Sequence, residues 1–140
     1  MPICSAIYTV SYMNDGWEIE IEPEVRHWLD NLSDRDYLQA EHAAERLLDA
    51  PTTLSEPYSR HLGEGLRELR FTLGHDSSAI RLTYWLAPNR RIVLLTVFRK
   101  TRMREGAEVD RAKQARKHCE TERHTAHDEF TRDVTKGEGS

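Results

Sequence analysis

The chain has 140 residues, of which 38% are hydrophobic and 31% are charged, and this balance suits one modest core plus an extension. No apolar run approaches the ~20 residues of a membrane-spanning helix, and the N-terminal stretch MPICSAIYTV lacks the positive charges of a signal peptide. Cys4 and Cys119 stand at opposite ends of the chain and fit no disulfide framework, so we expect a cytoplasmic protein.

The net charge of −4 conceals an uneven distribution along the chain. Residues 1–50 hold 3 basic and 11 acidic side chains, a net −8, whereas residues 51–120 hold 14 basic and 8 acidic side chains, a net +6. The basic centre can meet a polyanion while the acidic segment faces elsewhere. An ordinary dipolar surface with internal ion pairs explains the same distribution, and charge alone favours this second interpretation.

The first third of the chain predicts one strand and two helices. Residues 17–21, WEIEI, alternate apolar and acidic side chains, which is typical of a half-buried strand with its apolar residues inward. Pro23 follows at a position suited to the first turn of a helix. Ser33 is a suitable N-cap for a second helix, which we expect to end at Ala50.

The centre of the chain predicts a loop and then three strands. Residues 51–65 contain two prolines and two glycines and read as a loop. Residues 69–73 and 80–85 alternate apolar and polar side chains, whereas residues 92–98 are almost wholly apolar, as in a central strand buried on both faces. A narrow apolar stripe predicts a basic third helix over residues 106–119.

This order of elements predicts an α+β fold, with one antiparallel sheet and helices packed on one side of it. We expect three segments: an N-terminal arm or extra strand over residues 1–14, a folded domain over 15–119 and a flexible polar tail over 120–140.

Three basic residues on the predicted strands point to a candidate site. Arg70 and Arg81 lie opposite the apolar sides of adjacent strands, so a hairpin can place both guanidiniums on one surface. Like charges side by side are unfavourable unless an anion or a carboxylate sits between them. Lys100 leaves the end of the third strand close by. We expect four further basic residues to contact RNA phosphates: Arg60, Arg67, Arg99 and Arg102.

Such a patch suits metal-free cleavage of RNA, in which a ribose 2′-hydroxyl attacks the adjacent phosphate. The reaction needs a base, charge stabilisation at the phosphorane and an acid for the leaving oxygen. Arginine forks match phosphate oxygens, so Arg70 and Arg81 are assigned to the phosphate, and Lys100 acts as a base or as another electrostatic clamp. His61 and His118, with Tyr58 beside them, are candidate acids, among which the sequence does not choose.

Purely structural interpretations compete with this site. Arg70 can pair with Glu68 or Glu64, and Arg81 with Asp76, which would leave no positive charge for a ligand. Zinc binding by His118, Cys119, His124 and His127 is disfavoured because their spacing matches no usual finger. We expect neither a metal nor another cofactor.

Three stretches together, LGEGLRELRF, AIRLTYW and RIVLLTVFRKTRMREGAEVDRAKQARK, resemble the RelE/HigB superfamily of type II toxins, in particular its phage-derived Gp49-like (HigB) branch. The similarity spans residues 17 to about 119. It implies a RelE-like fold with a small curved antiparallel sheet, and a toxin that enters the ribosomal A site and cuts mRNA there. It also implies neutralisation by a helix-turn-helix, HigA-like antitoxin.

By motif, the resemblance assigns Arg70 to the arginine of the Glu-Leu-Arg strand, Arg81 to that of the next strand and Lys100 to the lysine after the last strand. Arg67 and Arg102 match positions that are often basic. The C-terminal aromatic or histidine that serves some members has no clear equivalent, His118 being the nearest. Two alternatives stay open: a ParE-like gyrase inhibitor without nuclease activity, and an inactive member that only binds its antitoxin.

Overall fold

The computed structural model describes residues 8–10, 16–101, 105–122 and 128–129. Within these residues the chain forms seven strands and three helices. In chain order they are β1 (Tyr8–Val10), β2 (Glu18–Ile21), α1 (Pro23–Asp30), α2 (Asp34–Asp49), β3 (Ser59–Gly63), β4 (Leu66–Leu73), β5 (Ser78–Ala87), β6 (Arg91–Arg99), α3 (Glu105–Glu122) and β7 (Asp128–Glu129). The predicted α+β class is confirmed.

The seven strands form one sheet in the order β3-β4-β5-β6-β2-β1-β7. Strands β3 to β6 pair antiparallel with one another, but β2 runs parallel to β6, with Ile19 opposite Ile92. The prediction of a purely antiparallel sheet is therefore wrong, and the sheet is mixed. Alternation along residues 17–21 identifies a strand, but it does not reveal that its partner lies about 70 residues away.

Helices α1 and α2 begin where the capping pattern predicts. Pro23 is the first residue of α1, and the Ser33 hydroxyl accepts a hydrogen bond from the Asp36 backbone N–H at 3.1 Å at the start of α2. Both helices pack on one face of the sheet, here called the α1–α2 face. Its core includes Ile19, Ile21, Val25, Tyr37, Leu47, Leu69, Leu82, Tyr84, Ile92 and Leu94.

Helix α3 packs on the opposite face, here called the α3 face, so the prediction that the helices lie on one side is wrong. A second apolar cluster lies beneath α3 and consists of Leu66, Trp85, Ala87, Val93, Leu95, Ala112 and Cys119. The cause is that β5 and β6 carry apolar residues on both faces in this part of the sheet, and a second layer is needed to remove them from water.

Strand β2 is buried on both faces, whereas its alternating sequence predicts a half-buried strand. Ile19 and Ile21 lie in the α1–α2 core, and Glu20 is also buried. Its carboxylate accepts a hydrogen bond from Arg91 Nη1 at 2.9 Å. Burial has a larger effect than this partner and raises the pKa of Glu20. Just after the strand, the buried Glu22 carboxylate accepts a hydrogen bond from Cys119 Sγ at 2.9 Å.

The interval 51–65, predicted as a loop, contains the short edge strand β3. It pairs with β4 through a tight turn in which Glu64 and Gly65 both have positive φ, 55° and 78°. A two-residue turn of this kind favours glycine and matches the twist of the strands it joins. The strand was not predicted because most of the side chains in β3 are polar and show no apolar alternation.

The predicted segment boundaries stay predictions. Helix α3 continues past residue 119 to Glu122, and Asp128–Glu129 pair with β1. Most of the two terminal segments lies outside the described residues. No helix among the described residues is long and apolar enough to cross a membrane.

Candidate functional site

Arg70 and Arg81 stand directly opposite each other in the pairing of β4 with β5. Opposed residues of an antiparallel pair project to the same face, here the α3 face, because the neighbouring Leu69 and Leu82 belong to the α1–α2 core. The hairpin therefore brings the two arginines together in the way that the alternating pattern predicts.

A carboxylate lies between these two arginines. Glu68 Oε2 is 3.7 Å from Arg70 Nε and 3.8 Å from Arg81 Nε, and the Glu68 side chain is fully buried. These distances correspond to ion pairs that are longer than hydrogen bonds. The ion pair between Arg70 and Glu68, which the sequence indicates as a purely structural interpretation, is thus present. Arg81 pairs with that same carboxylate and not with Asp76, which contacts Arg99 instead.

The two arginines differ in their access to solvent. Arg81 is only 7% exposed, and its Nη1 donates a hydrogen bond to the Ile80 carbonyl at 3.2 Å. The Arg70 side chain is 21% exposed, and its Nη1 lies 3.9 Å from the solvent-exposed carboxylate of Glu56. Arg70 Nε has no hydrogen-bond partner among the described residues. Of the pair, Arg70 is the one that an anion can reach without rearrangement of the sheet.

Two further predicted residues share the α3 face, one on edge strand β3 and one at the end of central strand β6. Arg60 stands opposite Glu68 in the pairing of β3 with β4 and is exposed. Lys100, also exposed, follows the last residue of β6, and its backbone N–H donates to the Ala79 carbonyl at 2.8 Å. Continued alternation along β6 places Lys100 on the face of Arg81. Of the cations that the sequence singled out, Arg60, Arg70 and Lys100 are the exposed or partly exposed ones on this face among the described residues.

The other predicted cations on the sheet lie on the α1–α2 face. Arg67 faces that side and donates to the Thr52 carbonyl at 3.3 Å, and His61 stands opposite it in β3. Arg99 stands opposite Ile80 and pairs with Asp76 at 3.1 Å near the tip of the β4–β5 hairpin. His118 is exposed on α3, the helix that covers the α3 face. Arg102 is outside the described residues.

The α3 face also holds a buried polar pair that the sequence did not single out. The hydroxyls of Thr83 and Thr96 are 2.6 Å apart, and Thr83 Oγ1 accepts a hydrogen bond from the Thr96 backbone N–H at 3.1 Å. Thr83 stands opposite Glu68 in the sheet. The signal for both Glu68 and Thr83 was present in the sequence, since each lies two residues from an arginine assigned to the site and so shares its face.

Helix α3 is tied to the end of β6 near Lys100 by an ionic contact with α1. The Glu24 carboxylate accepts hydrogen bonds from Arg111 of α3 and, at 3.0 Å, from the Val97 backbone N–H. Glu24, together with the Glu108 carboxylate, raises the pKa of Arg111. These contacts hold the start of α3 beside the strand that leads into Lys100.

Comparison with protein families gives one match. The model of the phage-derived Gp49-like protein family, DUF891, matches residues 27–118. No curated protein matches the chain. The matched range runs from the second half of α1 through β6 and most of α3, and it contains Glu68, Arg70, Arg81 and Lys100. The chain belongs to the phage-derived Gp49-like family, which is a family of HigB-type toxins of the RelE superfamily.

Proposed function

We propose that this protein is the toxin of a type II toxin–antitoxin system and that it cuts mRNA on the ribosome as an endoribonuclease that needs neither a metal nor another cofactor. The observation that carries the proposal is the side-by-side placement of Arg70 and Arg81 on one sheet face that also presents Lys100. Membership of a toxin family supports it independently.

In this proposal the cations have different roles, according to their access. Arg70 contacts the scissile phosphate and stabilises the charge that develops on its oxygens. Its planar guanidinium suits this role because it loses little conformational entropy when it binds a phosphate. Arg81 is buried and shares Glu68 with Arg70, so it acts as a positioning residue. Lys100 contributes a second exposed charge at the end of β6.

Of the two candidate histidines, only one lies on the helix that covers the α3 face. His118 is exposed on α3, which covers the α3 face, whereas His61 lies on the α1–α2 side of edge strand β3. We therefore assign proton donation to the leaving oxygen to His118. A helix-turn-helix antitoxin, the ribosomal A site and mRNA complete the proposed set of partners.

The test is expression of the chain with and without its neighbouring antitoxin gene, followed by mapping of mRNA 5′ ends. New ends within coding sequences are expected from the wild-type chain. Arg70→Ala should lower cleavage about 100-fold, as expected on loss of one transition-state donor, and Lys100→Ala at least about tenfold.

A matched control is Arg26→Ala, because Arg26 is an exposed arginine of α1 whose side chain lies 3.7 Å from Asp30. It should cleave as the wild type does. Growth arrest with intact mRNA, or equal cleavage by Arg70→Ala and Arg26→Ala, would contradict the proposal.

One observation favours a second candidate function. The buried Glu68 carboxylate offsets one of the two arginine charges, as a purely structural ion pair does. A protein of this kind would bind its antitoxin without cutting RNA, or would block gyrase as ParE-like toxins do. Unchanged mRNA ends together with tight antitoxin binding would support the first of these, and arrest with inhibited gyrase the second.

A further inference from the structure

A groove runs between α2 and the edge of β4, on the α2 side of Arg70. It has a volume of about 410 Å³ and is lined by residues that include Gln39, His42, Arg46, Tyr58, Arg70 and Thr72. It exists because β3 begins only at Ser59, opposite Leu69, whereas β4 continues to Leu73. The last residues of β4 therefore leave an edge that no strand covers among the residues described.

Two aromatic rings line this groove, those of Tyr58 and Phe71, and an arginine contacts the first of them. The Arg46 guanidinium carbon lies 4.2 Å from the centroid of the Tyr58 ring, which is a cation–π contact. Tyr58 is nevertheless 43% exposed and is the one large hydrophobic side chain of the described residues that is exposed to this degree. Arg46 therefore contacts one side of a ring whose residue keeps 43% of its surface exposed.

The ionisable side chains that line the groove are basic. Two arginines and one histidine line it, and no aspartate or glutamate does so within the described part of the chain. Glu56 lies 3.9 Å from Arg70, but its side chain is 70% exposed, so an incoming anion can displace it at little cost. An exposed ring flanked by fixed cations is the arrangement with which proteins bind single-stranded nucleic acid.

We infer that this groove binds one unpaired nucleotide of a single-stranded RNA segment, with its base stacked on Tyr58 and its phosphates beside Arg46 and Arg70. This inference rests on the proposed function for the choice of RNA. Because Arg70 lines the groove and also contacts Glu68 on the α3 face, the same guanidinium would join the bound nucleotide to the proposed site of cleavage.

The experiment measures binding of the purified full-length chain to a fluorescein-labelled single-stranded hexanucleotide by fluorescence anisotropy. Its riboses carry 2′-O-methyl groups, so attack by a 2′-hydroxyl cannot cleave it. Tyr58→Ala should weaken binding about tenfold through loss of stacking, and Tyr58→Phe should bind as the wild type does. Arg46→Ala should weaken binding about fivefold and lower the salt slope by about one.

The control variant is again Arg26→Ala, which retains the groove and should bind as the wild type does. Displacement of the probe by inorganic tripolyphosphate gives a second comparison, since this anion has no base to stack. Tyr58→Ala should leave the affinity for tripolyphosphate unchanged. Equal RNA binding by Tyr58→Ala and Arg26→Ala, equal losses of RNA and tripolyphosphate affinity, or no binding by the wild type would each overturn the inference.

Failure of the inference can be told apart from failure of the proposed function. Cleavage of mRNA in cells that is the same for Tyr58→Ala and Arg26→Ala overturns the groove and leaves the nuclease intact. If RNA binding depends on Tyr58 but the chain leaves mRNA ends unchanged, the inference of a nucleotide-binding groove is supported and the proposed nuclease function is contradicted.

Discussion

The two faces of the sheet are stabilised in different ways. The α1–α2 face is closed by aliphatic and aromatic side chains and holds a buried hydroxyl pair, Ser59 with Tyr84. The α3 face buries an apolar cluster at one end, and at the other end it buries ionised groups as well as hydroxyls. Apolar burial needs only complementary volume, but buried charge needs a fixed partner. The difference is that only the α3 face depends, among the described residues, on a carboxylate shared by two arginines.

The largest expected effect comes from removing the carboxylate shared by the two arginines. Glu68→Ala should lower the free energy of unfolding by about 3 kcal/mol, because Arg81 stays buried without that counter-charge. Urea denaturation measures the loss, and Leu69→Ala on the other face should cost a similar ~3 kcal/mol through its cavity.

A double variant separates stability from charge. Glu68→Leu with Arg81→Met should recover most of the lost stability, since a buried ion pair can be replaced by apolar residues of similar size, but it should not recover mRNA cleavage. A Glu68→Ala variant as stable as the wild type would contradict the view that the α3 face depends on this pair.

The next effect concerns the buried threonine pair. Thr83→Val should lower the free energy of unfolding by about 1–2 kcal/mol, because the Thr96 backbone N–H loses its acceptor in a dry environment. Thr72→Val, at an exposed position of β4, is the control and should change stability by less than about 0.5 kcal/mol. Equal urea midpoints for the two variants would show that the pair contributes nothing.

A smaller effect is the pH dependence that Glu20 contributes. Burial raises the pKa of Glu20 in the folded state above its ordinary value of 4.5, so the folded chain binds the proton more tightly than the unfolded chain. The stability contributed by this group is present at low pH and falls as the pH rises through the raised pKa. Glu20→Gln should therefore gain stability relative to the wild type between pH 4 and pH 7, as measured by urea denaturation at each pH. A constant difference would contradict this sign.

The smallest effect is expected at the tip of the β4–β5 hairpin. Arg99 pairs with Asp76 there, and both side chains are exposed. A hydrogen bond from Ser78 and the nearby Arg99 lower the pKa of Asp76, yet solvent screens such pairs strongly. Arg99→Ala should change neither the urea midpoint nor mRNA cleavage, because Arg99 stands on the α1–α2 face. A loss of cleavage would mean that the RNA path crosses both faces.

Much of the architecture could be predicted from alternation and capping, because both are local. Strands β4 to β6 and helices α1 and α2 follow from the spacing of apolar residues and from Ser33 and Pro23. The partner of β2 and the side chosen by α3 could not be predicted, because they depend on contacts between distant segments. The short strand β3 was missed because polar residues at an edge resemble a loop.

The candidate site was predictable to a similar degree. Arg70 and Arg81 share a face because of the period of a strand, and a local pattern contains that information. The burial of Arg81, the sharing of Glu68 and the stacking of Arg46 on Tyr58 depend on packing between layers. These tertiary contacts give different environments to two arginines that look equivalent in the sequence.

The parallel pairing of β2 with β6 joins residue 19 to residue 92 at the centre of the sheet. During synthesis, the hydrogen bonds between β2 and β6 therefore cannot form until most of the polypeptide has left the ribosome. Contacts so distant along the chain are slow to close. A nascent chain that stops before β6 would lack the middle of its own scaffold, so a truncated translation product of this gene should be harmless to the cell that makes it.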